Sequence, residues 1–341
     1  MKRTSTNGAA RLYAFELSGE HNTLPKSEVM ALLDIYATGQ RELFTLDRCL
    51  VVEAEQMDIL GMSARLALTH RIIRVLGISE STAESVAREV MDAPIPEGSY
   101  RIRGRKMGDA DLHSVEVERA FGEALFRRGY RADLSHPEIE LRAIITGEMV
   151  IFGRVLATPD RKGFEFRRPH LRPFFYPGTL MPRIARALVN LSHVKKEEKL
   201  IDPFCGTGGI LVEACLAGAK CIGVDVQEKL MRGAKQNLTG LDCSLIVGDA
   251  RKLPLSDSSV DGAVADTPYG RSALIRAKSR DELLAGSLAE LHRVLKPGRR
   301  AVVVADREIS DQVGDAGFGI IEKHTQRVHR SMTRYITVCV R

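Results

Sequence analysis

The stretch IDPFCGTGG at residues 201–209 decides the fold of the second half of the chain. A predicted strand ends at Asp202, and a turn containing Gly206 and Gly208 leads into an apolar helix. Glycines in this place let the backbone turn tightly and approach a ligand at the carboxyl ends of parallel strands. A GxGxxG dinucleotide fingerprint starting at Gly206 would need a third glycine where Leu211 stands, so NAD is disfavoured.

Strand-like and helix-like segments alternate on both sides of this turn, from about Met181 to the last residue. The strands contain few polar residues, which predicts a mainly parallel sheet with helices on both faces. The last two strands, FGIIEKHTQRV and RYITVCVR, are joined by a short turn. They are predicted to form an antiparallel hairpin at the edge of that sheet.

Two more carboxylates follow predicted strands. Asp225 ends GVDV and could accept both hydroxyls of a ribose, and Asp249 in VGDA could accept from an adenine amino group. A single acidic residue at a strand end is more often a turn residue or a helix cap. Three at successive strand ends beside a Gly-x-Gly turn, without a Walker lysine, favour a nucleoside cofactor that carries no phosphate.

The strand GAVADTPYG carries the motif that points to chemistry. Asp266, Thr267, Pro268 and Tyr269 match the pattern [DN]-x-P-[YF] of enzymes that methylate exocyclic amino groups of bases. Such an amino group is a poor nucleophile, because its lone pair is delocalised into the ring. Asp266 and a nearby backbone carbonyl could accept its hydrogens and direct the lone pair towards a methyl donor, while Pro268 holds the loop and Tyr269 stacks on the base.

The front of the chain predicts small α+β units. Strands are predicted at Leu12 to Leu17, Cys49 to Glu53 and from Tyr100, and a hairpin around Gly147. Helices are predicted over Lys26 to Tyr36, in the helix-like stretch 62–79, and over 114–129, the last with one apolar side. That side is predicted to contain Val117, Phe121, Leu125 and Phe126.

Charge is distributed unevenly along the 341 residues, whose formal net charge is +6 and whose isoelectric point is near 9.0. The first 97 residues contain 10 basic and 14 acidic side chains. Positive charge collects instead at 101–106, at 159–172 and towards the carboxyl end. This pattern favours a polyanionic partner that contacts the later parts of the chain.

The ordered set of carboxylates and glycines resembles the class I S-adenosylmethionine-dependent methyltransferases. The resemblance implies that Asp202, Gly206 and Gly208 form the first cofactor loop and that Asp225 contacts the ribose. It places Asp249 and Ala250 in the adenine pocket. Thr179, in FYPGTL, is a candidate contact at the methionine end, and a Pro-Gly turn with Thr179 as a helix cap is the alternative.

Nearly the whole chain resembles the archaeal-type tRNA guanine-N2 dimethyltransferases that act at position ten. The resemblance rests on the connector RRPHLRPFFYPGTLMP, on DTPYGRS and on RVHRSMTRYI. It implies an α/β fold in which a C-terminal class I, Rossmann-like methyltransferase domain follows α+β ferredoxin-like and THUMP domains. The implied boundaries are 1–60 for the ferredoxin-like domain, 61–160 for the THUMP domain, 161–180 for a linker and 181–341 for the methyltransferase.

The same resemblance implies S-adenosyl-L-methionine as the cofactor and tRNA as the partner, gripped at its acceptor end by the THUMP domain. Candidate RNA contacts are basic residues in the charged segments, each equally well explained as a solvated surface charge. They are Arg101, Arg103, Arg105, Lys106, Arg167, Arg168, Arg327, Arg330 and Arg334, with His329 beside the last group.

Cysteine usage and hydropathy suggest a cytoplasmic location. The six cysteines form no CxxC pair and stand in apolar contexts, so we expect buried thiols and no metal site. Apolar runs are shorter than a membrane-spanning helix requires, and the N-terminus lacks the features of a signal peptide. A protein partner is possible but no motif indicates one.

Three alternatives remain open at the level of sequence. The substrate could be a guanine at another tRNA position or in ribosomal RNA, and the front half disfavours DNA as the substrate. From a different class, the chain could be a tRNA-binding factor without turnover. The complete set of Asp225, Asp249 and the Asp266 motif argues against that alternative, because a binding module has no need of all three.

Overall fold

Two hydrogen-bonded sheets of seven strands each organise the part of the chain that the computed structural model describes, residues 10–268, 279–330 and 332–341. Contacts between residues group the chain into two units. The first contains residues up to Val29, Tyr36–Ala64 and Leu68–Pro159, and the second contains Met30–Ile35, Arg65–Ala67 and Asp160–Arg341.

The front half alternates strands with four helices in its described residues. In chain order the elements are β1 Arg11–Leu17, α1 Leu24–Tyr36, β2 Ala37–Thr38, β3 Arg41–Leu46, β4 Cys49–Ala54, β5 Gln56–Met57, α2 Ile59–Arg65, β6 Thr69–Glu80, α3 Ala83–Asp92, β7 Tyr100–Lys106, α4 Ser114–Arg127, β8 Ile139–Ile145 and β9 Met149–Ala157.

The first sheet runs in the order β3-β4-β1-β6-β9-β8-β7. β7 and β8 pair in parallel, whereas the other neighbours pair antiparallel. Residues of α3 and α4 share a core with this sheet, and the rings of Phe121 and Phe152 meet edge to face at 4.8 Å within it. Strands from 1–60 and from 61–160 thus belong to one sheet, and the domain boundary between those ranges stays a prediction.

Two expectations for the front half are wrong. The stretch 62–79 is not one helix, because α2 ends at Arg65 and the strand β6 starts at Thr69. Ile, Val and Thr are frequent in β6, and its burial largely alternates, as a half-buried strand requires. Phe126 is 79% exposed, because on a helix it lies about 180° from Val117. The other three predicted residues, Val117, Phe121 and Leu125, are buried.

A buried carboxylate fixes the polar interior of the first unit. Glu16 on β1 is 1% exposed and accepts two hydrogen bonds from the guanidinium of Arg142 on β8, at 2.9 and 2.8 Å. Arg71 lies 3.4 Å away. These arginines lower the pKa of Glu16 even though burial opposes its ionisation most strongly.

The second half forms the alternating pattern that the sequence predicts. Its elements are two short 3₁₀ helices, Glu165–Arg167 and Pro169–Leu171, followed by α5 Pro182–Leu191, β10 Lys199–Asp202, α6 Gly209–Leu216, β11 Lys220–Asp225, α7 Glu228–Asn237, β12 Cys243–Val247, β13 Gly262–Asp266, α8 Arg280–Val294, β14 Arg300–Ala305, α9 Ser310–Asp315, β15 Gly319–His329 and β16 Met332–Val340.

The second sheet runs β12-β11-β10-β13-β14-β16-β15. The first five of these strands are parallel, and β15 and β16 form the predicted antiparallel hairpin at the edge. The strand order reverses between β10 and β13, so a crevice opens where the carboxyl ends of these strands point. The predicted parallel sheet and its edge hairpin are confirmed, and the short helix α9 is an addition.

The connector at 161–180 packs against α5 and α6 of its own unit through a buried ion-pair cluster. Glu213 on α6 is fully buried and is bound by Arg167 at 2.8 Å and by Arg186 at 3.0 Å. Both guanidinium groups also lie over the ring of Phe164. Further along, Phe174 exchanges two hydrogen bonds of 2.9 Å with Asn237.

The cysteines are free thiols, and four of the six are buried. No helix among the described residues is long and apolar enough to cross a membrane. Within the same residues, no cluster of three or more His, Cys, Asp or Glu side chains is arranged to hold a metal ion.

Removing Arg142 tests the polar interior of the first unit. We expect Arg142→Ala to lower the free energy of unfolding by about 3–5 kcal/mol, because it leaves the carboxylate of Glu16 buried without its closest cation. Arg71→Ala is the control and is expected to cost clearly less, since Arg71 is more exposed and more distant. Urea unfolding measures both, and equal losses would contradict the assignment.

Candidate active site

Four acidic residues gather at one edge of the second sheet. Asp202, Asp225 and Asp266 are the last residues of β10, β11 and β13, and Asp249 comes two residues after the end of β12. Because these four parallel strands are neighbours, their carboxyl ends meet at the same edge. The sequence predicted this gathering of acids.

The glycine turn is fastened to the neighbouring strand by Asp225. One carboxylate oxygen of Asp225 accepts from the backbone N–H of Gly206 at 3.0 Å, and the other accepts from Gln227 at 2.9 Å. Gly206 and Gly208 have φ of +52° and +79°, which residues with a Cβ rarely adopt. The turn conformation therefore depends on these glycines and on Asp225.

Asp202 is the most deeply buried of the four acids. It is 1% exposed, and its carboxylate accepts from the backbone N–H of Phe204 at 3.1 Å. Burial raises the pKa of Asp202 well above its usual range, and the negative charges of Asp266 and Asp225 raise it further. This edge of the sheet is therefore a place where positive charge on a ligand is favourable.

A cleft of about 550 Å³ opens beside Asp202 and Asp266. Its lining comes from the connector, the glycine turn and the strand ends: Tyr176, Pro177, Gly178, Thr179, Leu180, Asp202, Phe204, Cys205, Gly206, Thr207, Gly209, Ile210, Leu230 and Asp266. This lining combines apolar side chains with two carboxylates and the backbone of the glycine turn, as small-molecule sites do.

Thr179 lines this cleft and does not cap α5. Its hydroxyl donates to the carbonyl of Tyr176 at 2.8 Å, and the residue before α5 is Met181. A Cβ on Gly209 would lie 2.9 Å from the Thr179 methyl group, so the connector approaches the glycine turn closely. The arrangement supports Thr179 as a cofactor contact, which stays a prediction.

Asp249 is bound by a neighbouring arginine. Its two carboxylate oxygens accept from the guanidinium of Arg251 at 3.1 and 2.8 Å, and Arg251 also bonds Glu282 on α8 at 2.8 Å. Ala250 is buried. Asp225, Asp249 and Ala250 lie outside the lining of the 550 Å³ cleft, on the side of β11 and β12.

The turn after β13 is held by Thr267. Both its backbone N–H and its hydroxyl donate to the carbonyl of Val304 on β14, at 2.9 and 2.8 Å. A proline in this position could make neither bond, so Thr267 fixes the turn by another route. Pro268 follows it, and Tyr269 lies outside the described residues.

A second, narrow cavity lies against this turn, and its empty space of about 310 Å³ includes open solvent. Phe204 lines both cavities, while Thr267 and Pro268 line the second. Its remaining lining is Arg280, Leu283, Leu284, Ala305, Asp306 and Arg307. The sequence reasoning missed Arg280 and Asp306, although Asp306 shows the signal used for the other acids, a carboxylate at a strand end.

The predicted RNA contacts differ in their surroundings. Arg101, Arg103 and Arg105 on β7 lie 3.5 to 3.9 Å from Glu140, Glu118 and Glu16, respectively. Lys106, Arg327, His329 and Arg330 are exposed, and so is Arg168, which pairs with Glu165.

Two of the predicted contacts are held inside the protein. Arg167 is bound to the buried Glu213, and Arg334 is 7% exposed, with its guanidinium 3.4 Å from the Gly178 carbonyl. The structure thus places Arg334 beside the 550 Å³ cleft, whose lining includes Gly178.

Comparison with known proteins identifies the fold and the family. A family profile described as "RMKL-like, methyltransferase domain" matches residues 169–336. The chain is 35% identical to a tRNA (guanine(10)-N2)-dimethyltransferase of Methanothermobacter thermautotrophicus. The match covers 95% of this chain and 98% of that relative. The chain belongs to the tRNA (guanine(10)-N2)-dimethyltransferase family.

Two further comparisons place the methyltransferase more broadly. It is 31% identical to a tRNA (guanine(6)-N2)-methyltransferase of Thermus thermophilus, in a match that covers 71% of this chain and 75% of that relative. The crystal structure of TrmN from Thermus thermophilus superposes with a TM-score of 0.55 at 23% identity, covering 97% of this chain and 99% of the other. This likeness shows the fold.

The cleft of the methyltransferase fits its cofactor, S-adenosylmethionine. The cofactor has a positive sulfonium and an amino group, and the cleft presents the carboxylates of Asp202 and Asp266. The nucleoside part carries no phosphate, in keeping with a turn that lacks a Walker lysine. Asp202 and the turn at Gly206 would hold the methionine part, and Asp225 the ribose.

Asp202→Asn tests whether the acidic edge is built for a ligand at the expense of stability. The pKa of Asp202 is higher in the folded protein than in the unfolded chain, so ionising this carboxyl costs more in the folded state. The free energy of unfolding therefore falls as pH rises from the unfolded pKa through the folded pKa. Without cofactor, Asp202→Asn is therefore expected to melt at a higher temperature than the wild type at pH 7 to 8, with the difference vanishing near pH 4. The opposite trend in differential scanning calorimetry would contradict this reading.

Thr267→Val tests the hydrogen bonds that hold the turn. The change keeps the β-branched shape but removes the hydroxyl that bonds Val304, and we expect kcat to fall about tenfold through misalignment of Asp266. Thr267→Ser keeps the hydroxyl and is expected to retain most activity. Affinity for S-adenosylmethionine, measured by calorimetry, should be the same in both variants; a kcat for Thr267→Val equal to wild type would rule out this role.

Proposed function

We propose that this protein transfers methyl groups from S-adenosyl-L-methionine to the exocyclic N2 of the guanine at position ten of tRNA, first giving N2-methylguanosine and then N2,N2-dimethylguanosine. The observation that carries the proposal is the turn Asp266–Pro268, because Asp266 lines the cofactor cleft and the next two residues line the second cavity. An amino group entering from the second cavity would meet Asp266 at the boundary with the cofactor.

The chemistry needs a hydrogen-bond acceptor more than a strong base. The lone pair of guanine N2 is delocalised into the ring, and accepting its hydrogens makes the lone pair more available for attack. The carboxylate of Asp266 and a backbone carbonyl at Thr267 or Pro268 are the acceptors, and Asp266 also stabilises the positive charge that develops on nitrogen. When bound, S-adenosylmethionine supplies an electrophilic methyl group. Tyr269 is proposed to stack on the base.

The basic edge of the first unit is the proposed tRNA-binding surface. Arg101, Arg103 and Arg105 alternate along β7, so they project from one face at intervals of roughly 6.6 Å. Each has an acidic neighbour but remains partly exposed, and Lys106 extends the row. Arg168, Arg327 and Arg330 are the proposed contacts from the second unit. Binding through such residues should weaken as salt rises.

The proposed organisation follows the family. Residues 1–60 would be ferredoxin-like, 61–160 a THUMP domain, 161–180 a linker and 181–341 the methyltransferase domain, with tRNA as the partner and the cytoplasm as the location. All the proposed tRNA contacts lie in the three basic segments, at 101–106, at 159–172 and towards the carboxyl end.

Position six is the second candidate for the target. It is favoured by the tRNA (guanine(6)-N2)-methyltransferase that the chain matches at 31% identity. That match covers 71% of the chain, whereas the position-ten relative covers 95% at 35% identity. Position ten is therefore the primary assignment.

The activity and the role of Asp266 are tested together. An unmodified tRNA transcript is incubated with labelled S-adenosylmethionine and digested to nucleosides, beside a matched transcript with adenine at position ten. Label is expected in N2-methylguanosine and N2,N2-dimethylguanosine from the first transcript only. Asp266→Ala is expected to lower kcat by about 10²–10³-fold with tRNA affinity unchanged, because it removes an acceptor that acts in the transition state.

Asp257→Asn is the matched control, because Asp257 is an exposed acid of the same unit that pairs with Arg293. It should retain the wild-type rate. Label in methyladenosine or methylcytidine would refute the choice of base, and equal labelling of the two transcripts would move the target to another guanine. Unchanged turnover in Asp266→Ala would refute its role.

A further inference from the structure

The second cavity combines apolar walls with a charged pair, Asp306 and Arg280, and a further cation, Arg307. Phe204, Pro268, Leu283 and Leu284 supply apolar surface. Asp306, which follows β14, lies opposite Arg280, the first residue of α8, with 2.6 Å between a guanidinium nitrogen and a carboxylate oxygen. Both side chains are partly exposed, at 30% for Asp306 and 43% for Arg280. They therefore remain available to a ligand that enters the cavity.

A carboxylate beside a guanidinium matches one nucleobase edge in particular. Guanine presents an N1–H donor next to its exocyclic N2 amino group, and its O6 acceptor follows on the other side of N1. Adenine and cytosine instead present a ring nitrogen acceptor at the corresponding place, which would meet the carboxylate unfavourably. The pair thus offers an acceptor for N1–H and a donor for O6.

We propose that Asp306 and Arg280 select guanine, with Asp306 accepting from N1–H and Arg280 donating to O6. This inference rests on the proposed function and adds the residues that determine its base specificity. Asp266 and Asp306 then bind different atoms of the same base. Asp266, at the end of β13, aligns the reacting N2, while Asp306 lies beyond β14, the neighbouring strand, and reads the atom next to N2.

The neighbouring ion pairs provide a control for a merely structural role. Asp281 pairs with Arg307, and Glu282 pairs with Arg251, so three successive residues at the start of α8 are tied to the strand ends. Asp281 is not among the residues that line the second cavity. Asp281→Asn therefore weakens the attachment of α8 and the hold on Arg307, but it leaves the carboxylate of Asp306 and the guanidinium of Arg280 in place.

The test compares guanine with 2-aminopurine at position ten of an otherwise identical synthetic tRNA. 2-Aminopurine keeps the exocyclic amino group but has an acceptor at N1 and no O6. The wild-type enzyme is expected to prefer guanine by about 10²-fold or more in kcat/KM, because two specific hydrogen bonds are lost. In Asp306→Asn the rate on guanine should fall at least tenfold, while the rate on 2-aminopurine holds or rises, since an amide can donate to N1.

The preference for guanine should thus shrink in Asp306→Asn and stay at the wild-type value in Asp281→Asn. Arg280→Met is the second variant, expected to slow guanine but not 2-aminopurine, which has no O6. An unchanged preference in both Asp306→Asn and Arg280→Met would overturn this inference, as would an equal change in Asp281→Asn. No methylation of guanine N2 by the wild type would instead overturn the proposed function, so the two failures are distinguishable.

Discussion

The carboxylates at the edge of the parallel sheet impose the constraint on which the second unit depends. Folding brings Asp202, Asp225 and Asp266 from separate segments to the ends of adjacent strands. Burial raises the pKa of Asp202 and of Asp225, and the charges of Asp266 and Asp225 raise the pKa of Asp202 further. The backbone offsets part of this cost. The N–H groups of Gly206, Gln227 and Phe204 donate to two of the acids, so the glycine turn and the carboxylates hold each other in place.

The rest of the site follows from this edge. Thr179, in the connector, approaches the glycine turn, and the connector is anchored by the buried Glu213 through Arg167. On the opposite side, Thr267 ties the turn after β13 to Val304, which gives the cofactor cleft and the second cavity a common wall. A cation in the first cleft and a base with hydrogen-bond donors in the second are the ligands that these surroundings favour.

The mainly parallel sheet, its edge hairpin and the acids at successive strand ends could be predicted from the sequence, because periodicity and strand-end acids are local signals. The ion-pair partners of individual side chains could not be predicted in this way, because they lie far apart in the sequence. Arg167 reads as a surface charge within a basic segment, yet it pairs with a glutamate 46 residues away. The start of β6 was missed because apolar residues in a short run suit either a helix or a strand. Asp306 has the same local signal, a carboxylate directly after a strand, but it belongs to neither the cofactor motif nor the Asp266 motif.

We infer that the positive charge of S-adenosylmethionine completes the acidic edge of the sheet. Calorimetric titration at several pH values between about 4.5 and 6.5, in buffers of different ionisation enthalpy, counts the protons exchanged on binding. The cofactor's amino group is already protonated there, since α-amino groups titrate at about 7.7–8.0. We predict net proton release by the wild type, because the cation lowers the raised pKa of Asp202, and less release by Asp202→Asn. Binding by the wild type with no proton release, or with the same release in Asp202→Asn, would contradict the account.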